Sequence, residues 1–387
     1  MKEFYLDWAA TAPMSASALD TYCKAATQEY GNPSSIHQKG KEAASTLSEI
    51  RRRFAKLLQV KSQHIYFTSG GTESNALVCN HFLTKRRKIH IIMSGIEHPS
   101  IYEYHSAFLQ QGHEITIVPS PLGVIDTKAL SSALRKETAL ILLMTVNNVL
   151  GTRQPLKEIR KIIDDYSYRK GSTIHLHADS VQAFGKIASN EYMPYVDSAS
   201  FSAHKLQGPK GTGILYTRKV ISVASPGGGQ ELGLRPGTED LPAIASFYDA
   251  AAHYCDNLTI NERKTTILKD HLIELIKDVP YFKILETAPD RSPYILCISI
   301  PDLPSEVSTR VLNDHGIYVS TGSACSSKNR KKMQRVLIQS GYDQKTSDSL
   351  IRLSFGPTMT LSDIESIARL MIEVIGNVLR QMGKLRK

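Results

Sequence analysis

Residues 196–218 read VDSASFSAHKLQGPKGTGILYTR. Two short runs, SASFSA and GILYTR, have the small and apolar composition of strands buried on both faces, and a Gly-Pro-Lys-Gly turn lies between them. Lys205 follows the first run, beside His204. A surface lysine is ordinarily framed by other charges on a solvated face, so an amine in this setting is expected at a strand end inside the protein. Outward from here, five further runs have the same texture: HIYFTS, KIHIIMS, EITIVPS, ALILLMTV and TIHLHAD. Several are separated by about 15 to 25 residues of amphipathic or mixed sequence, such as PLKEIRKIIDDYSYRKG. Strand, helix, strand at that spacing predicts βαβ crossovers and an α/β fold with a mostly parallel seven-stranded sheet, assigned to a large domain over residues 15–253. From residue 254 the texture changes: a long charged helical stretch, the runs FKILE and YILCISI, the helical SEVSTRVLNDHG, the run LIRLSFG and a final amphipathic helix from Leu361. This predicts a smaller α+β domain of residues 254–387, joined by residues 1–14.

Composition narrows the classes of function. A chain of 387 residues with 41% hydrophobic content is long enough for a large core. MKEFYLDWAATAP has no basic segment followed by an apolar stretch, and no apolar run approaches the roughly 20 residues needed to span a bilayer. The expectation is a cytoplasmic protein with no membrane association. The five cysteines are scattered and include no C-x-x-C pair, which argues against a disulfide framework or a cysteine-rich metal site. The net charge of +10 comes partly from the clusters RRRF, KRRK, KNRKK and GKLRK. No nucleic-acid module or aromatic stacking pattern accompanies them, so they read as solvated helix faces and a tail, with no direct nucleic-acid binding expected.

In open α/β sheets ligands sit beyond the carboxyl ends of the strands, which makes the residues after each run the candidates for chemistry. After YFTS comes GGTESN, where Gly70, Gly71 and Thr72 set a tight turn at an expected helix N-terminus, a cradle for an anion. After IIMSG comes His98. After LLMTV come Asn147 and Asn148, and after IHLHA comes Asp179, with Gln182 three residues on. After SASF come Ser202, His204 and Lys205. Each has a plain structural alternative, but together they supply what pyridoxal phosphate requires. Its aldehyde needs a lysine whose charge is suppressed by burial, its pyridine nitrogen a carboxylate, and its phosphate backbone amides and hydroxyls. Lys205, Asp179, and the Gly71–Thr72 turn with Ser202 and His204 meet those needs.

At this point the sequence resembles a known family. The blocks YLDWAATAP, YGNPSSIHQKG, FTSGGTESN, EHPS, VNNVLGT, HADSVQAFGK, SFSAHKLQGPKGTG, LRPGTED, STGSACSS and IRLSFG occur in the order found in cysteine desulfurases, the NifS/IscS-like members of the class-V aminotransferases and of the fold-type I pyridoxal-phosphate enzymes. The resemblance implies that His98 stacks on the cofactor ring and shuttles protons, and that Asp179 pairs with the pyridine nitrogen. It places Asn148 and Gln182 near the phenolic oxygen, and Thr72, Ser202 and His204 on the phosphate, with Thr238 reaching the phosphate from the other subunit of a homodimer. Arg352 would clamp the substrate carboxylate, for which a guanidinium is suited. Cys325, flanked by small residues and followed by SKNRKK, would be the nucleophile, since nearby positive charge favours thiolate. The implied reaction converts L-cysteine to L-alanine, leaving a persulfide on Cys325 for a sulfur-acceptor protein, either an iron–sulfur scaffold or a tRNA-thiolation protein.

Three residues depart from the family pattern: Trp8 where asparagine is usual, Val149 where glutamate is usual and Asp240 where asparagine is common. None removes a group assigned to chemistry. The rival readings are a selenocysteine lyase or aminotransferase on the same cofactor, and a noncatalytic scaffold. Retention of Lys205, Asp179, His98, Cys325 and Arg352 together argues against the scaffold.

Overall fold

A computed structural model describes residues 2–223, 227–321 and 334–385. The seven runs picked out above form one sheet: β2 (Ile65–Thr68), β3 (His90–Ser94), β4 (Glu114–Val118), β5 (Thr138–Met144), β6 (His175–Asp179), β7 (Ser198–Ser202) and β8 (Gly213–Thr217), after a two-residue β1 (Phe4–Tyr5). Their spatial order is β2-β8-β7-β6-β5-β3-β4. The pairs β3·β4, β3·β5, β5·β6 and β6·β7 are parallel, while β8 runs antiparallel to both β2 and β7. The turn LQGPKGT returns the chain directly alongside β7, which explains the one reversed strand: a short turn can join only antiparallel neighbours.

Alternate residues of β2, β3, β5 and β8 enter two different cores, as period-two geometry requires, while β6 and β7 give apolar residues to one of them. Phe67, Ile92, Ile141, Leu143, Leu176, Ala178 and Phe201 lie in a cluster with Phe54, Ile159, Ile163 and Phe247 from the helices Gln38–Leu58, Leu156–Lys170 and Leu241–Asp256. Tyr66, Ile91, Met93, Leu140, Leu142 and Leu215 lie in the cluster of the opposite face, with Val78, Phe82 and Phe108 of the helices Gly71–Leu83 and Tyr104–Gln110. Cover on both faces is why the runs read as apolar rather than alternating.

A third core joins Phe4 and Leu6 to the C-terminal region. Its strands are β9 (Lys283–Ile284), β10 (Ile295–Ser299), β12 (Ser320–Thr321) and β13 (Leu350–Ser354), in the order β12-β13-β10-β9, all antiparallel, and β11 (Ile317–Tyr318) pairs with β1. The helices Leu258–Ile276, Ser305–Asp314 and Leu361–Gln381 pack on it. The last is fixed at its start by a reciprocal capping box between Thr360 and Asp363. The N-terminal segment thus belongs to the C-terminal core, and residues 7–12 cross from there to the carboxyl ends of β6 and β7. No helix among the described residues is long and apolar enough to cross a membrane. The RRRF cluster is a helix face: Arg51 forms a two-point pair with buried Glu231 and lies over Phe67, and Arg52 and Arg53 pair with Glu49.

Candidate active site

The carboxyl ends of β2, β5, β6 and β7, with the turn after β3, surround a cavity of about 240 Å³. Gly71, Thr72, His98, Asn148, Asp179, Gln182, Ser202, His204 and Lys205 all line it, together with Ser100, Met144 and Val181. One end is a helix N-terminus. Gly70 precedes the helix Gly71–Leu83 at φ +149°, a conformation that favours glycine, and a Cβ on Gly71 would stand 2.5 Å from Val181 Cγ2. Backbone N–H groups of that first turn therefore meet the cavity together with the hydroxyl-bearing Thr72 and Ser202, an arrangement suited to phosphate.

Lys205 follows β7 in a single helical turn, and its Nζ donates to the carbonyls of Ala9, at 2.7 Å, and Ala10. Burial is the main cause that pulls its pKa down to about 7, with the charges of Arg352 and Lys186 acting in the same direction. His204 is held neutral, at about 4, by burial and by the charge of Lys205; its Nδ1 lies 3.1 Å from Thr11 Oγ1. Asp179 ends β6 and is buried; its Oδ1 accepts the Val181 N–H at 3.1 Å and its Oδ2 accepts Asn75 Nδ2 at 2.9 Å. His98 Nδ1 lies 2.8 Å from Ser100 Oγ. Immediately before it, Glu97 is buried, and burial pushes its carboxyl up to about 8, a neutral acid at pH 7.

Arg352 on β13 is buried and does not itself line the cavity, but it bonds to Asn148, which does. Its Nη1 donates to the Asn148 carbonyl at 2.7 Å, its Nη2 pairs with Asp7 Oδ1 at 2.7 Å, and among the described residues its buried Nε has no hydrogen-bond partner. Thr238 is exposed and does not line the cavity of a single chain. Cys325 lies outside the described residues.

The fold also brings in residues that the sequence reading quoted without assigning. Asp7 of YLDWAATAP holds Arg352 from 345 positions away. Asn75 of GGTESN touches Asp179. Lys186 of QAFGK is buried, which lowers its pKa to about 8; it donates to Gln182 Oε1 at 3.4 Å, while Gln182 Nε2 donates to the Ala9 carbonyl at 2.9 Å. Arg335 donates to the carbonyls of Gly95 and Glu97 and stacks on Tyr102, tying the chain after residue 333 to the turn that carries His98. Asp7, Asn75 and Lys186 sit inside the quoted blocks; Arg335 lies outside them.

Each departure from the family pattern has a local account. The Trp8 ring lies where a side chain on residue 356 would begin, 2.0 Å from the Cβ position of Gly356, and its Nε1 donates to the Tyr5 carbonyl at 3.0 Å. Val149 is buried in an apolar cluster with Ile96, Leu285, Cys297, Val336 and Leu337. Asp240 caps the helix Leu241–Asp256 by accepting from the Ala243 N–H at 3.1 Å. Among the described residues no group of His, Cys, Asp and Glu is arranged to hold a metal.

Comparison with known proteins agrees with this geometry. Residues 4–367 match the aminotransferase class-V family. The chain is 36% identical to a NifS/IcsS protein homolog of Lactobacillus delbrueckii subsp. bulgaricus, covering 96% of each. It is 33% identical to the cysteine desulfurase IscS of Methanosarcina thermophila, covering 99% of this chain and 94% of that one. Among solved structures, a NifS-like protein superposes with a TM-score of 0.89 at 31% identity, over 97% of this chain and all of the other. A NifS-like protein from Rickettsia africae superposes with a TM-score of 0.85 at 29% identity, over 97% of this chain and 100% of that one. With matches of this extent, the chain belongs to the class-V aminotransferase family and, within it, to the pyridoxal-phosphate-dependent cysteine desulfurases of the NifS/IscS kind.

Proposed function

We propose that L-cysteine is desulfurised in this cavity, with Lys205, His98 and Arg352 acting on the substrate and Cys325 receiving its sulfur. The observation that carries the reading is the meeting of a lysine of lowered pKa, a buried aspartate and a helix N-terminus around one cavity, with the buried Arg352 bonded to the carbonyl of Asn148 in its wall. Lys205 would hold the cofactor aldehyde, Asp179 its pyridine nitrogen, Asn148 and Gln182 its phenolic oxygen. Gly71, Thr72, Ser202 and His204 would hold its phosphate. When bound, the cofactor supplies an electron sink for negative charge at the amino acid's Cα.

The remaining work falls to the chain's own side chains. Arg352 would take the substrate carboxylate, while Asp7 and the Asn148 carbonyl keep the guanidinium in place. Lys205, near half-deprotonated at neutral pH, can accept a proton and return it. Cys325 thiolate attacks the substrate sulfur; the S–S bond forms as the C–S bond breaks, the bonding pair stays with carbon, and protonation of that carbon gives alanine. Cys79 and Cys297 are buried and Cys255 mostly so, and burial raises all three thiols, Cys255 to about 11 and Cys297 to about 12, so none is poised to replace it. The persulfide passes to an acceptor protein, an iron–sulfur scaffold or a tRNA-thiolation protein. The working form is a homodimer in which exposed Thr238 completes the partner's phosphate site.

The test is borohydride reduction of the purified protein followed by peptide mapping. The cofactor should be fixed to Lys205; label on Lys186 or Lys210, or none, would overturn the assignment. A second expectation concerns pH. Cofactor-free protein should capture added pyridoxal phosphate at a rate that rises with pH through about 7 and levels off above, because only the unprotonated amine reacts. A midpoint near 10, the ordinary range for lysine, would show that burial does not suppress the charge.

A further inference from the structure

Beneath the cavity, the side chains of Asp179, Asn75, Ser100 and His98 form one continuous chain of hydrogen bonds. We propose that Asn75 and Ser100 are positioning residues through which the Asp179 carboxylate fixes His98 as the Nε2–H tautomer. The inference rests on the reading above that His98 handles protons during the reaction.

Asn75 is fully buried in the helix Gly71–Leu83. Its Nδ2 lies 2.9 Å from Asp179 Oδ2 and 2.8 Å from Ser100 Oγ, so both amide hydrogens are used, and its Oδ1 lies 2.9 Å from His177 Nε2. The reversed amide would place Oδ1 against a carboxylate oxygen, two acceptors in contact with no solvent to separate them, at a cost comparable to an unmade buried hydrogen bond. The carboxylate therefore decides which way Asn75 faces, and that choice propagates in two directions.

Toward the sheet, His177 must donate from Nε2. Burial keeps this ring neutral, at about 3, so its Nδ1 is an acceptor, and Ser198 Oγ lies 2.7 Å from it. Toward the cavity, Ser100 Oγ accepts from Asn75 and is left with its own hydrogen for His98 Nδ1 at 2.8 Å. The Ser100 backbone N–H also donates to that nitrogen, at 3.2 Å. Two donors on Nδ1 leave the ring proton on Nε2. The Asn75 side chain bonds to Ser100, Asp179 and His177, so its effect on His98 passes through Ser100.

The wiring can be read without turnover, in long-range proton–nitrogen spectra of the cofactor-loaded protein labelled with 15N-histidine, the His98 signal being assigned by its loss in His98→Gln. Wild type should show His98 with a bare Nδ1 and a protonated Nε2. Ser100→Ala removes one donor and keeps the backbone one, and should move the two nitrogen shifts toward each other as tautomers mix. Ser100→Thr returns the hydroxyl and should restore the wild-type pattern. Asn75→Leu should mix the tautomers as Ser100→Ala does. In steady state Ser100→Ala should lower kcat about tenfold, a fraction of the general acid–base contribution, with KM for L-cysteine little changed. A protonated Nδ1 in wild type, or Ser100→Ala with an unaltered His98 signal, would overturn the proposal. Because the tautomer is read from the spectrum, its failure is distinct from a failure of the cysteine reaction, which alanine formation reports separately.

Discussion

Replacing Lys205 with alanine is expected to cut alanine formation from L-cysteine by at least about a thousandfold, because one side chain both anchors the cofactor and moves the substrate proton. The fold should survive. Lys205 Nζ donates to the carbonyls of Ala9 and Ala10, but Ala9 keeps the Gln182 Nε2 bond at 2.9 Å, and the segment stays anchored through Asp7 on Arg352 and the Ala12 N–H on the His204 carbonyl. The measurement is a single-turnover assay for alanine on protein whose circular dichroism matches wild type. Retention of a tenth or more of wild-type activity would remove Lys205 from the mechanism, whatever cofactor is bound.

The second large effect is expected of Cys325→Ser. Lys205, Asp179 and Arg352 are untouched by this change, so the variant should bind cofactor normally and still respond to L-cysteine with a change in visible absorbance. Sulfur cannot leave, because a hydroxyl is far too weak a nucleophile at neutral pH to replace a thiolate at sulfur. Alanine release should fall about a thousandfold or more. Cys297, set in the apolar run YILCISI, cannot take its place: it is buried, its pKa is raised to about 12, and its Sγ is committed to the Val149 carbonyl at 3.0 Å. Near-normal turnover by the serine variant would place the chain's chemistry outside the desulfurases.

Much of this molecule could be read before any coordinates. The seven strands of the large sheet were legible because both of their faces are covered: a doubly buried strand such as β5, Thr138–Met144, leaves an unbroken apolar run. Of the four two-residue strands, β9 was seen only inside the longer run FKILE, and β1, β11 and β12 were missed, since a period of two has no meaning over two residues. Lys205 and Asp179 announced themselves as charged residues ending apolar runs. Asp7, Asn75, Ser100 and Lys186 did not, because a single polar residue in a turn or helix looks the same whether it faces water or a buried carboxylate. Their meaning depends on partners as distant as the 345 positions between Asp7 and Arg352, or the 104 between Asn75 and Asp179, and only the closed fold supplies those contacts. The family blocks did contain all four. What they could not reveal is that Asn75 faces two ways, toward the aspartate and toward the serine beside His98.

The central claim is that sulfur from L-cysteine comes to rest on one particular side chain of this protein. It is tested most directly by treating the purified enzyme with L-cysteine in the absence of reductant, digesting it under acid, and locating added sulfur by mass spectrometry. The account predicts one extra sulfur atom on the peptide containing Cys325, formed together with an equimolar amount of alanine. Sulfur on Cys23, Cys79, Cys255 or Cys297 instead, or alanine formed with no persulfide on any cysteine, would contradict it.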